Sequence, residues 1–205
     1  MQISELDGVE LFPHRKPHLE AACAAAPKKG LIVEFGVWKG TSLRRMAEFF
    51  GPERTLLGFD SFRGLPEPWY TKKPDATTHP AGHFALRGLP EVPKNVILVV
   101  GWFNQTADLV LGGALAASQL PIALLHIDCD LFTSALEALD AATPGLWTGS
   151  IVVFDELGNW DGRYPLWEQG EWKALNLWLE LHPELTLIPM SRTTAQQAAF
   201  RVFRA

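Results

Sequence analysis

Cysteine is scarce in this chain: only Cys23 and Cys129 occur in 205 residues. Two cysteines cannot build a disulfide framework, so a stapled secreted domain is excluded and both read as reduced intracellular thiols. No apolar run approaches the roughly 18 residues that a membrane-spanning helix requires. The opening MQISELDGVELF has no basic cluster ahead of an apolar stretch, so a cytoplasmic location is expected. Positive charge is also short. Lys and Arg number 18 against 23 Asp and Glu, a formal net charge of −5, which argues against a nucleic-acid surface. A small-molecule partner is expected, with neither nucleic acid nor membrane; assembly into a homo-oligomer stays open.

What is present suits one α/β domain. Hydrophobic residues make up 47% and charged residues 20%, an ordinary globular balance with room for one buried core. Short apolar runs alternate with helical spacing, the mark of βα repeats. Leu31–Phe35 reads as the first strand, with Leu43, Met46, Ala47 and Phe50 on one face of the helix after it; Thr41 or Ser42 can cap that helix. Residues 55–60, 96–100, 122–128 and 150–154 read as further strands, with helices over 131–142 and 171–181. Residues 185–188 and 199–203 are two more strands, too close for a parallel return, so they pair antiparallel. The sum is a Rossmann-like, seven-stranded, mostly parallel sheet with an antiparallel C-terminal hairpin, the arrangement expected of a class I methyltransferase fold. A single domain over 1–205 is expected, with an N-terminal helical segment at 1–29. Residues 61–95 interrupt the alternation with Pro, Gly, two His and Trp69-Tyr70. Aperiodic stretches of that length are usually functional lids or disordered linkers, and the aromatics and histidines favour a lid.

The first strand runs into Glu34-Phe-Gly36-Val-Trp38-Lys-Gly40-Thr41-Ser42. Open α/β sheets bind ligands at the carboxyl ends of their strands. Gly36 allows a tight turn and close approach, and amides and hydroxyls at the next helix start can hold a carboxylate. The dinucleotide fingerprint is missing: Trp38 stands where its second glycine meets a pyrophosphate. Lys39-Gly-Thr-Ser has the wrong order for a phosphate loop. The second strand ends at Asp60, positioned to accept ribose hydroxyls; capping a turn is its plainer use.

Carboxylates gather at two later strand ends, His126-Ile-Asp128-Cys-Asp130 and Phe154-Asp155-Glu156. Neighbouring strand ends lie together, so Asp128, Asp155 and Glu156 can share one rim. Their repulsion must be relieved by a cation or a proton. Hard oxygen donors suit Mg²⁺; general bases and helix caps without metal are the alternative. His126, two residues before Asp128, shares its face and is either a second candidate base or a buried core histidine. Asp130 either serves the site or caps the helix that follows.

These segments, together with Gly58-Phe-Asp-Ser-Phe-Arg-Gly-Leu-Pro-Glu67, Gly101-Trp-Phe-Asn-Gln-Thr106 and Gly170-Glu-Trp-Lys-Ala174, resemble the macrocin-type O-methyltransferases across about residues 30–175. The first turn also resembles that of catechol-type methyltransferases. The resemblance implies S-adenosylmethionine held by Glu34, Gly36, Trp38, Gly40, Thr41, Ser42, Asp60, Ser61, Trp102 and Asp128. It implies Mg²⁺ on Asp128, Asp155 and Glu156, with Asp128 as base for an acceptor hydroxyl. Glu156 stands where many antibiotic-sugar enzymes have a second aspartate. The expected activity is Mg²⁺-assisted O-methylation of a small sugar or phenol. Metal-independent transfer with His126 or Asp128 as base, and a cofactor-binding partner without catalysis, are the alternatives.

Overall fold

The computed structural model describes residues 1–71 and 78–205, so residues 72–77 of the expected lid lie outside the described residues. After a short 3₁₀ turn (Ile3–Leu6), the elements are β1 (Glu10–Phe12), α1 (Arg15–Ala25), β2 (Leu31–Phe35), α2 (Thr41–Phe50) and β3 (Leu56–Asp60). Then come β4 (Trp69–Tyr70), β5 (Thr78–His79), β6 (Val96–Val100), α3 (Phe103–Ser118), β7 (Ile122–Ile127) and α4 (Phe132–Ala142). The chain closes with β8 (Ile151–Phe154), α5 (Glu171–Leu181), β9 (Leu185–Thr193) and β10 (Ala198–Arg204).

Among the described residues the main sheet has eight strands in the order β1-β9-β10-β8-β7-β2-β3-β6, with β4 and β5 in a separate pair. The parallel series β8-β7-β2-β3-β6 and the antiparallel β9–β10 pair follow the sequence reading. The count does not: eight strands replace the expected seven. The extra one is β1, inside the segment expected to be helical, and it pairs parallel with the far end of β9 through Glu10 and Ser191. Three residues carry no readable period, so their extended form is set by the edge they meet. That edge exists because β9 continues beyond Ile188 through Pro189. Beside Pro189 the β9–β10 register shifts between Ala199 and Phe200, the accommodation a proline demands inside a sheet. Helix α3 was not legible either. Gly112 and Gly113 interrupt its middle and Leu109 is exposed, so its apolar stripe is blurred.

Side chains alternate across each strand, and this alternation divides the core. Val33 and Phe35 of β2, Leu125 and Ile127 of β7 and Val152 and Phe154 of β8 pack with Leu111 of α3, Leu139 of α4 and Trp178 of α5. Ile32, Leu124 and Val153 point the other way, against Leu19 and Cys23 of α1 and Leu43 and Met46 of α2. The parity of this second face carries forward to Glu34, His126, Asp128 and Asp155. Polar side chains on three adjacent strands therefore rise under α1. No helix among the described residues is long and apolar enough to cross a membrane.

Candidate active site

The order of the parallel strands reverses between β2 and β7, and a cavity of about 960 Å³ opens at their carboxyl ends. Gly36 makes the first turn at φ +90°, where a Cβ would stand 1.7 Å from the Asp128 carbonyl oxygen. Only glycine lets the turn after β2 touch the end of β7 this closely. Asp60 fastens the same turn. Its Oδ2 accepts from the amides of Val37 (2.9 Å) and Trp38 (2.7 Å), and its Oδ1 from that of Phe62 (2.6 Å). With three bonds accepted, a carboxylate's roughly four acceptor sites leave little for a ribose. Asp60 builds the turn first.

Helix α2 is capped by Gly40 in left-handed conformation with no side-chain bond, so neither Thr41 nor Ser42 serves as the expected cap. Both side chains instead line the cavity, together with Gly36, Trp38, Asp60, Ser61, Trp102 and Asp128. Two residues assigned to the cofactor depart from that reading. Gly40 is a backbone cap outside the wall, and Glu34 is sealed inside the sheet at 0% exposure.

Glu34 is occupied by His126. The two are register partners on β2 and β7, and His126 Nδ1 lies 2.8 Å from Glu34 Oε1. On the opposite side, His126 Nε2 lies 3.7 Å from Asp155 Oδ1. Burial alone would lower the imidazole, but the carboxylates of Asp155 and Glu34 beside it raise it to about 10. His126 thus lies buried between two carboxylates, away from the cavity wall. This placement fits the buried core histidine, the second of its two readings: the ring faces Glu34 and Asp155 rather than the cavity.

The sequence reading missed the cation at the centre. Arg15, the first residue of α1, places Nε 2.8 Å from Asp155 Oδ1 without hydrogen-bond alignment, and its Nη2 pairs with Asp128 Oδ2. No local signal reports a contact spanning 113 positions. Burial by itself would lower the guanidinium; Asp128 and Asp155 hold it charged. Burial would raise Asp155, but Arg15 and His126 bring it down to about 2. Asp128 goes the other way, to about 7, through burial and the charge of Asp155. Its side chain keeps 20% exposure at the cavity, which tempers the burial contribution.

Another buried carboxylate, Glu171, also went unassigned. Its Oε1 accepts from the Cys129 amide and its Oε2 from the Glu156 amide, each at 3.0 Å. One side chain at the start of α5 therefore ties the loops after β7 and β8 together. Burial lifts it to about 8 against those two amides. Asp130 sits at φ +63° on the cavity wall, while α4 starts at Phe132 behind a Leu131 cap. The helix-cap alternative for Asp130 thus gives way to the site. Burial, then the charge of Asp128, raises Asp130, and burial, then the charge of Asp155, raises Glu156.

The described part of the 61–95 segment forms one wall of the cavity through Leu65, Glu67, Trp69 and Phe84. Phe84 packs edge-on against Trp38 at 5.1 Å, and Trp69 Nε1 donates to Tyr164 Oη at 3.2 Å. Glu67 Oε1 accepts from Thr133 Oγ1 at the start of α4 at 2.8 Å.

A methyltransferase-domain model matches residues 33–157, which include every strand end just described. The chain belongs to the methyltransferase-domain family. It is a methyltransferase dependent on S-adenosylmethionine. The calicheamicin methyltransferase CalS11 is 29% identical over 92% of this chain and 79% of its own, with a TM-score of 0.64. The O-methyltransferase NovP is 19% identical over 93% and 80%, with a TM-score of 0.62. An O-methyltransferase from Bacillus cereus in complex with SAH is 12% identical over 98% and 86%, with a TM-score of 0.53; the last two share the enzyme's fold. Among curated proteins, none matches the chain in sequence.

Proposed function

We infer that this enzyme methylates a hydroxyl on a small natural-product-like acceptor, a sugar or a phenol. The observation that carries the reading is the position of Asp128, which meets the cofactor turn at Gly36 and the acidic cluster at Asp155 while facing the cavity. CalS11, described as a TDP-rhamnose 3'-O-methyltransferase of calicheamicin biosynthesis, supports the class of acceptor.

The turn from Gly36 to Ser42 and the wall at Ser61 and Trp102 hold the cofactor, which supplies a methyl group on a sulfonium sulfur when bound. Asp128 takes the proton of the acceptor hydroxyl. With the cofactor bound, the oxygen that Asp128 deprotonates would take its methyl group, and the sulfur would leave as a neutral thioether. Alignment of oxygen, methyl carbon and sulfur supplies much of the rate, and Trp69, Phe84 and Trp38 exclude water from that line.

Asp128, Asp155 and Glu156 offer oxygens that all lie within 4.8 Å of one another. Among the described residues, Glu156 Oε2 and Asp155 Oδ1 are buried without a hydrogen-bond partner. Such an oxygen set fits Mg²⁺. When bound there, the ion would polarise the acceptor oxygen. Transfer without a metal is the second reading, favoured by Arg15, which already compensates Asp128 and Asp155. The test is a methyl-transfer assay against a panel of sugars and phenols, with EDTA and with added Mg²⁺. Asp128→Asn should abolish turnover yet keep binding S-adenosylhomocysteine. Full turnover by that variant would remove Asp128 as the base. Full wild-type turnover in EDTA would leave the metal-independent reading standing.

A further inference from the structure

We propose that Arg15 and a divalent cation are alternative occupants of the space between Asp128 and Asp155, so that the first turn of α1 gates entry of the metal. The proposal rests on the metal-assisted reading of this cluster. The guanidinium pairs with both aspartates, and the same two carboxylates supply two of the three oxygens of the candidate ion site. An ion drawn to those oxygens competes with a guanidinium in contact with the same two carboxylates. The two would share carboxylates and repel each other as like charges.

Arg15 is built to leave. It opens α1, where the helix dipole disfavours a cation, and that first turn has no acidic residue and no side-chain cap. The carboxylates of the neighbouring strands are what hold it. Its side chain remains 43% exposed, so a rotamer change swings it into water while His18, Leu19, Ala22 and Cys23 keep α1 buried in place. Asp155 cannot follow, being 2% exposed with His126 behind it. With Arg15 inside, the aspartates are balanced and the enzyme rests without metal. Even with Arg15 inside, Asp155 Oδ1 and Glu156 Oε2 have no hydrogen-bond partner among the described residues, and with Arg15 outside an ion is the group that fits them.

The probe is Mn²⁺, titrated into the whole enzyme by calorimetry and by electron paramagnetic resonance. Arg15→Met should bind it about tenfold or more tightly than the wild type; Arg15→Lys should fall between them. Arg15→Met combined with Asp155→Asn should lose the gain. In the wild type, saturating Mn²⁺ should speed hydrogen exchange of the amides of residues 15–18. Equal affinity in wild type, Arg15→Met and Arg15→Lys, with Asp155-dependent binding, would overturn the gate and leave the metal-assisted reading intact. No Mn²⁺ binding by any of the three, each shown folded by circular dichroism, would overturn both.

Discussion

Glu34 and His126 face each other across β2 and β7, Oε1 to Nδ1 at 2.8 Å, with both side chains shut off from solvent. Buried charges are tolerated only when paired, and removing one partner costs about 3–5 kcal/mol. Glu34→Ala should therefore lower stability by about that amount in urea unfolding. Cofactor affinity should change little, since Glu34 lies off the cavity wall. A variant as stable as the wild type would show that the pair carries no buried charge.

Glu171→Ala leaves the amides of Cys129 and Glu156 without an acceptor. Each orphaned buried donor costs about 1–3 kcal/mol, and the loops bearing Asp128 and Glu156 lose their tie. Methyl transfer should fall more steeply than binding of S-adenosylhomocysteine, which depends mainly on the other rim. Equal losses in both would place Glu171 under the cofactor instead.

Gly36→Ala puts a methyl group into the Asp128 carbonyl at a φ of +90°. The backbone has to move, because the obstacle is main chain rather than a flexible side chain. The variant should melt well below the wild type and show no thermal response to S-adenosylhomocysteine. A normal response would mean that the turn and the end of β7 separate easily.

Asp60→Ala frees the amides of Val37, Trp38 and Phe62. In the wild type, S-adenosylhomocysteine at a hundredfold excess over its dissociation constant should add about 2.7 kcal/mol of stability. The variant should show a clearly smaller gain at the same ligand concentration. Asp60→Asn, which keeps some acceptor capacity, should lie between.

Trp69→Ala removes the donor to Tyr164 and part of the cavity wall. Steady-state kinetics with a turned-over acceptor should show a raised acceptor KM and an unchanged KM for the methyl donor. A raised donor KM alone would move Trp69 to the cofactor end.

The parallel strands were legible because β2 and β7 are buried on both faces and so appear as unbroken apolar runs. The carboxylates were legible because βα sheets gather their strand ends on one rim, and period two fixes which face each side chain takes. Thus Asp128, Asp155 and Glu156 could be brought together from the chain alone. What met them there could not. Arg15 and the edge strand β1 have no local pattern, and Glu171 stands in a recognisable segment that does not tell its role; each takes that role from docking against segments distant in sequence. The sequence set a group of acids that required a positive charge. Only packing of α1 over the Glu34–His126–Asp155 row decided that the charge at hand is a guanidinium, because a helix's place on a sheet follows from its buried face rather than from its first residue.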